Sequence, residues 1–345
     1  MDSQAEDIRA VYHLTMAFNG TQAVRAIAMM SVAEHLADGP LPAGEIARRE
    51  QCDPRATRRL LRAGVALGLL GYDADTTEFR STPALQVLHK DNDSSLKYYA
   101  QSAGIPALWY PAARLPEAVR TGKPQAEEAV GMSLFEYLRR HPDQAREFGM
   151  GMSGVSAPVI RLAADHIEPG AARTVVDVGG AEGAFAAELL ARHARLTGTV
   201  LELAPMAPRV AAEAERRGLA GRLGAEVGDF FTAVPPGDLY LLKFVLHNWD
   251  DEECVRILST IRAAMPAGAR LFVVEMVADD DRIPVGLAYM DLAMLAGLGG
   301  EERTLTEYDR LFERAGLERT GTRELLEPYA CLEVQARSTD PDPTR

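Results

Sequence analysis

Thr174-Val175-Val176-Asp177-Val178-Gly179-Gly180-Ala181-Glu182-Gly183 is the stretch on which the reading of this chain turns. Its opening residues are β-branched apart from Asp177, and an apolar run that ends in glycines suits a strand buried on both faces. The glycines after it let backbone approach a ligand closely. An alanine-rich helix expected from Phe185 to His193 would present its free N–H groups at the same place. The glycine spacing does not match the GxGxxG dinucleotide pattern. Turns of this kind also join a strand to a helix where nothing binds.

Downstream the pattern alternates. Strands are expected at 198–203, 224–229, 238–245 and 269–277, with helices at 207–217 and 251–264. Such alternation makes an α/β, doubly wound, Rossmann-like parallel sheet. The end differs: 316–325 and 329–337 face each other across a short turn and read as an antiparallel hairpin added to the sheet. The final residues, 338–345, read as a frayed, disordered tail.

Upstream the chain is mostly helical. Val24, Ile27, Ala28, Val32, Ala33 and Leu36 recur at helical spacing, and Ile46 and Ala47 mark an inward face in the next stretch. Asp53 is a good N-cap with Pro54 at the first helical position, opening a helix through Leu60, Leu61 and Val65. A short hairpin over 72–82 follows, and helices followed by a small hairpin make a winged-helix arrangement. Residues 96–168 are helical but carry prolines at 106, 111, 116, 124, 142 and 158, which predicts several short helices. The expected division is 1–100, 101–170, 171–337 and the tail 338–345.

With 345 residues the chain has room for two units and a large core. The net charge of −13 opposes nucleic acid and anionic membrane surfaces as partners. Arg55, Arg58, Arg59 and Arg62 share one helix face, which keeps a DNA-binding regulator open as a reading, although residues 1–100 carry 11 basic and 13 acidic side chains. Cys52, Cys254 and Cys331 form no CxxC pair and no disulfide framework. The acidic start, MDSQAEDIRA, has no apolar h-region, and no run is long and apolar enough to span a membrane, so a cytoplasmic protein is expected.

Three further segments carry chemistry. Glu202, nineteen residues past Gly183 at the end of the second strand, can accept both hydroxyls of a ribose; alone, such a residue is more often at the surface or in a cap. In Gly228-Asp229-Phe230-Phe231 a carboxylate can accept from an adenine amine and a ring can stack on the base, although phenylalanines also pack cores. Lys243-Phe244-Val245-Leu246-His247-Asn248-Trp249-Asp250-Asp251-Glu252 places His247 at the C-terminal edge of the sheet, where open α/β folds bind ligands. A lone histidine is more often structural, and the acidic run is most simply a helix N-terminus.

Taken in order, DVGG-x-x-G, the carboxylate at 202, GDFF, LHNWDDE and the GGEERT of 299–304 resemble the plant caffeate and bacterial antibiotic-pathway O-methyltransferases, over about residues 10–337. The resemblance implies a class I methyltransferase sheet with an N-terminal winged-helix dimerisation domain, hence a homodimer. It implies S-adenosylmethionine as methyl donor, S-adenosylhomocysteine as product, a small-molecule acceptor and no metal. By it, Asp177, Gly179, Gly180, Gly183, Glu202, Asp229, Phe230, Lys243 and Trp249 are cofactor residues. His247 is the general base, flanked by Glu275 and Glu302. Met152 and Met294 line the acceptor pocket, to which the helices of 101–170 contribute, and Trp109 is an aromatic candidate for pocket or core.

Three positions depart from the family pattern: Ala181 stands where the family has a glycine, Glu202 where Asp is frequent, and Asn248 where Asp is common. If position 181 needs a positive φ, alanine is strained there. The same fold and donor also serve N- and C-methylation, and hydroxylase, decarboxylase or cyclase chemistry in which the sulfonium is not consumed. The sequence leaves these open.

Overall fold

Alternation along the central strands sets the architecture. The computed structural model describes residues 2–279 and 281–337, so the tail expected at 338–345 lies outside the described residues. The chain divides into two compact units: Met1–Tyr110 with Val130–Ala157, and Pro111–Ala129 with Pro158–Arg345.

The first unit holds helices Asp2–Met29, Ala43–Arg49 and Pro54–Ala66, with β1 (Leu41–Pro42) between the first two, and β2 (Leu70–Asp73) and β3 (Glu78–Ser81) after the third, in an antiparallel sheet ordered β1-β3-β2. This is the winged-helix arrangement. Asp53 caps as expected, its Oδ1 accepting from Ala56 N at 2.7 Å. Ile27, Val32, Leu36, Ile46, Leu61, Leu70 and Phe79 form one core. The helical run ending at Met29 breaks at Ser31, a non-glycine residue at φ 48°. There the buried Lys97 ammonium donates to Ser31 Oγ (3.0 Å) and Glu34 Oε1 (2.5 Å), which explains how a lysine can be almost fully buried. Arg55, Arg58, Arg59 and Arg62 are all exposed along Pro54–Ala66.

The second unit contains β4 (Thr174–Val178), β5 (Thr197–Glu202), β6 (Leu223–Val227), β7 (Leu239–Lys243), β8 (Arg270–Ala278), β9 (Arg303–Thr304), β10 (Leu317–Glu324) and β11 (Tyr329–Ala336). The sheet order is β10-β11-β8-β7-β4-β5-β6, with β9 beside β8. Pairs among β4 to β8 are parallel, whereas β11 is antiparallel to both β8 and β10, so the terminal hairpin extends the sheet as expected. Both faces are covered. Val176, Val178, Tyr240, Leu242, Leu271 and Val273 pack on one side against Asp251–Ala264 and Leu305–Arg314. Val175, Leu239, Leu241, Phe272 and Val274 pack on the other, against Ala184–Arg192 and Ala207–Arg216. The strand order reverses between β4 and β7, and ligands of open sheets bind outside the strands' C-terminal ends at such a point.

The prolines of the middle region do not all break helices. Pro106 and Pro142 begin helices and Pro116 sits in a first turn, positions where the missing N–H is not needed. Pro111 and Pro158, however, lie inside helices, and Pro142–His166 runs for 25 residues instead of the short pieces expected. An interior proline forfeits one bond, here to the carbonyl of Gly154, and the bonded turns on either side carry the helix through. The division between the two units falls at Pro158.

The turn after β4 shows what Ala181 costs. Gly179 (φ 65°), Ala181 (φ 53°) and Gly183 (φ 80°) all adopt left-handed backbone. Ala181 N donates to Glu202 Oε1 at 3.1 Å, which holds it there. Left-handed backbone costs an L-residue roughly 1–2 kcal/mol, and a glycine loses roughly 0.4–1 kcal/mol more entropy on folding. Ala181→Gly is therefore expected to raise the thermal midpoint by roughly 2–4 °C. A lowered midpoint in calorimetry would mean that the alanine methyl contributes packing greater than the strain.

Candidate active site

The residues expected to hold the donor lie along the C-terminal edge of β4 to β7. Asp177, at the end of β4, is buried, and its Oδ2 accepts from Ala186 N at 3.1 Å in the first turn of the following helix. A Cβ on Gly180 would lie 2.4 Å from the Asp177 carboxyl carbon, so only glycine lets the turn fold over this side chain. Burial pushes the Asp177 carboxyl up to about 6, against the pull of the Ala186 N–H and Lys243. Burial likewise brings the Lys243 ammonium, at the end of β7, down to about 8, opposed by Asp177 and Glu275. Its Nζ lies 4.1 Å from the centre of the Phe244 ring.

Glu202 ends β5, and its two oxygens accept from Ala181 N and Leu203 N. Each oxygen keeps a further lone pair for a ligand hydroxyl. Asp229 stands two residues past the end of β6; it is exposed, and its Oδ1 accepts from Phe231 N at 2.9 Å. Phe230 and Phe231 both meet Trp249 edge-on, with centroids 6.2 and 4.8 Å apart. A Cβ on Gly179 would lie 3.3 Å from Val245 and 3.4 Å from Phe230, so the glycine preserves a cradle between the turn and this aromatic group. Glycine backbone, a carboxylate at a strand end and partly buried rings together fit a nucleoside-bearing cofactor.

The catalytic candidates also come together. His247 Nδ1–H donates to Glu302 Oε1 at 2.9 Å, and Glu275 Oε2 lies 4.0 Å from the same nitrogen. A carboxylate only accepts, so in the neutral imidazole the proton belongs on Nδ1 and the lone pair on Nε2. Glu275, at 0% exposure, also accepts from Val245 N (2.9 Å) and Leu246 N (2.8 Å) through Oε1. Burial lowers the affinity of His247 for a proton, but Glu275 and Glu302 outweigh it and hold the imidazole above its ordinary value. Burial raises the Glu275 carboxyl above its usual range, with His247 opposing.

Several supporting residues were not anticipated. Phe244 sits at φ 55°, and the Asn248 amide donates to its carbonyl at 3.1 Å. An aspartate at 248 has no such proton when ionised, which gives the departure from the family pattern a purpose. Asp291 Oδ1 accepts from Glu302 N at 2.9 Å. A Cβ on Gly300 would fall 2.0 Å from the His247 carbonyl oxygen, so this glycine is what allows GGEERT to lie against the histidine segment. Arg303, 1% exposed, bonds both segments. Its place beside Glu302 in GGEERT was the only signal, and nothing in the sequence says that an arginine there is buried. Trp109, Met152 and Met294 are each half-buried; the first two belong to the first unit and Met294 to the second. Among the described residues no cluster of His, Cys, Asp or Glu is disposed to hold a metal, and no helix is long and apolar enough to cross a membrane.

The chain is similar to known proteins over most of its length. Residues 112–318 match the O-methyltransferase domain and residues 12–91 the O-methyltransferase dimerisation domain. O-demethylpuromycin-O-methyltransferase of Streptomyces alboniger is 36% identical over 300 residues, covering 85% of this chain and 79% of that relative. The structure of a mitomycin 7-O-methyltransferase superposes with a TM-score of 0.90 at 29% identity, covering 97% of this chain and 99% of that one. An O-methyltransferase from neocarzinostatin biosynthesis, solved with S-adenosylmethionine and 2-hydroxy-5-methyl naphthoic acid, is 32% identical with a TM-score of 0.78 over 92% and 96% of the two chains. The glycine turn, the carboxylate-flanked histidine and these matches over most of the length lead to one conclusion: the chain belongs to the S-adenosylmethionine-dependent O-methyltransferase family of antibiotic and secondary-metabolite pathways.

Proposed function

We propose that this enzyme methylates a hydroxyl of a small aromatic metabolite, with His247 as general base. The observation that carries the reading is the 2.9 Å bond from His247 Nδ1 to Glu302, which leaves Nε2 as the basic nitrogen. The aromatic acceptor is supported by the naphthoic acid bound to the neocarzinostatin-pathway relative.

Bound S-adenosylmethionine supplies an already activated methyl on a sulfonium. Gly179, Gly180 and Gly183 would hold its methionine portion, Glu202 its ribose, and Asp229, Phe230 and Trp249 its adenine. Asp177 braces the turn and Lys243 sets the charge beneath it. A phenol, with a pKa of roughly 10, keeps its proton at neutral pH. His247 Nε2 takes that proton as the oxygen attacks, which contributes roughly 10²–10⁴-fold. The imidazolium that forms is stabilised by Glu302 at Nδ1 and by Glu275 beside it, three side chains that are all buried.

His247→Ala is expected to lower kcat by roughly 10²–10⁴-fold while leaving the affinity for S-adenosylhomocysteine, measured by calorimetric titration, nearly unchanged. Full turnover in that variant would overturn the general-base role. The base acts only when neutral, and its pKa is raised above the ordinary histidine value. The acid limb of kcat/KM is therefore expected above about 6.5, with activity rising as pH rises through it. A limb at or below the ordinary value would show that the carboxylates do not hold the charged form.

The dimerisation domain supports a homodimer. Ile8, Val11, Tyr12 and Phe18 on the first helix are each more than half exposed, an apolar surface that a second copy would cover. Val11→Asp is expected to shift sedimentation at micromolar concentration from dimer to monomer. A wild-type chain that sediments as a monomer would overturn the assignment.

A further inference from the structure

The segment that carries His247 and Trp249 leaves β7 as a single 3₁₀ turn, Leu246–Asn248, and turns such as this have few bonds of their own. The segment that carries Glu302 is two residues of strand beside β8. Neither is rigid by itself, yet the base and its carboxylate meet at 2.9 Å. One side chain spans the two. The Arg303 guanidinium donates from Nη1 to Leu246 O (3.3 Å) and from Nη2 to Trp249 O (3.0 Å), the carbonyls on either side of His247-Asn248. Its Nε and Nη2 both reach Asp251 Oδ1, at 3.0 and 2.9 Å. It also bonds Glu301 O at 3.4 Å and pairs with Glu301 Oε1 at 3.2 Å.

We propose that Arg303 is a positioning residue that fixes the His247 imidazole against Glu302 and the Trp249 ring against the donor site, through a planar fork that a lysine cannot replace. The proposal rests on His247 being the base. The fork matters because one guanidinium must meet two carbonyls and a carboxylate at set angles, whereas an ammonium is a single flexible point of charge. Leu246 O also accepts from Trp249 N at 3.1 Å and from Cys254 Sγ–H at 3.2 Å, but both donors lie within or just after the histidine segment, whereas Arg303 ties that segment to the one that carries Glu302. A buried charge with five bonds also adds no mobility to the pocket it supports.

The test compares the wild type with Arg303→Lys, Glu302→Gln and the double variant, each followed by thermal melting, pH–rate profiles and titration with S-adenosylhomocysteine. Arg303→Lys keeps the positive charge, so a pH effect reads geometry. The groups facing His247 are Glu275, Glu302 and Lys243, and of these only the Glu302 contact should loosen. The expected result is a folded variant with kcat reduced roughly a hundredfold, the scale of a 1 Å misplacement. Its acid limb should move to lower pH, as in Glu302→Gln, S-adenosylhomocysteine should bind several-fold more weakly, and the double variant should lose little beyond Glu302→Gln alone. A lowered melting point with the limb unmoved and losses that multiply fully in the double variant would overturn the proposal and leave Arg303 a structural residue. Should the lysine variant not fold, Asp251→Asn removes one anchor at the exposed end of the fork. It should shift the limb in the same direction by a smaller amount, and an unmoved limb there overturns the proposal equally. Failure of the underlying reading looks different, because His247→Ala would then stay active whatever Arg303 does.

Discussion

Glu275 is a carboxylate with no exposure at all, and the site is arranged around making that burial tolerable. Burying a charge without partners costs several kcal/mol, so its oxygens dictate what may lie around them. Oε1 is met by two successive backbone N–H groups, those of Val245 and Leu246, and Oε2 faces the His247 ring. The chain leaving β7 must therefore turn so that two amides point back at β8. Phe244 takes the left-handed conformation to do so, at a cost on the order of 1–3 kcal/mol. Two hydrogen bonds to a charged acceptor, roughly 1.5–3 kcal/mol each, outweigh that strain.

The same turn puts His247 where a second carboxylate can reach it. Glu302 arrives from a different part of the chain, held by Asp291 at its own N–H and allowed close by Gly300. The two carboxylates act in one direction on the imidazole: both favour the charged form that methyl transfer to a hydroxyl would generate. On the other side of the switch point, the charges of Asp177 and Lys243 each favour the other's ionised form against the effect of burial. The residues proposed for the donor and for the base thus share one sheet edge, and the Lys243 charge acts on Asp177 and on His247.

Much of this was legible in the sequence where the pattern is local. Strand periodicity, the Asp53-Pro54 helix start and the terminal hairpin follow from residues a few positions apart, and the structure agrees with each. The start of the helix Leu305–Arg314 is local in the same way, written in the Thr304–Glu307 capping box. Where sequence reasoning misjudged, the cause was a local rule overruled by neighbours. Pro158 reads as a helix break, yet one lost hydrogen bond is small beside the turns bonded on both sides of it.

The sequence by itself determined the sheet, its order of elements and the residue types gathered at its C-terminal edge, because alternation and glycine placement act over short range. It also supplied His247, Glu275 and Glu302 as candidates through family likeness, although nothing in their spacing places residues 28 and 27 positions apart in contact. Only the tertiary structure decided which histidine nitrogen keeps the proton, that Ala181 accepts a glycine's backbone, and that Arg303 is buried against a segment 52 to 57 residues away in the chain. Those outcomes depend on hydrogen bonds and desolvation between distant segments. Such energies exist only once the sheet has brought β7, β8 and β9 side by side.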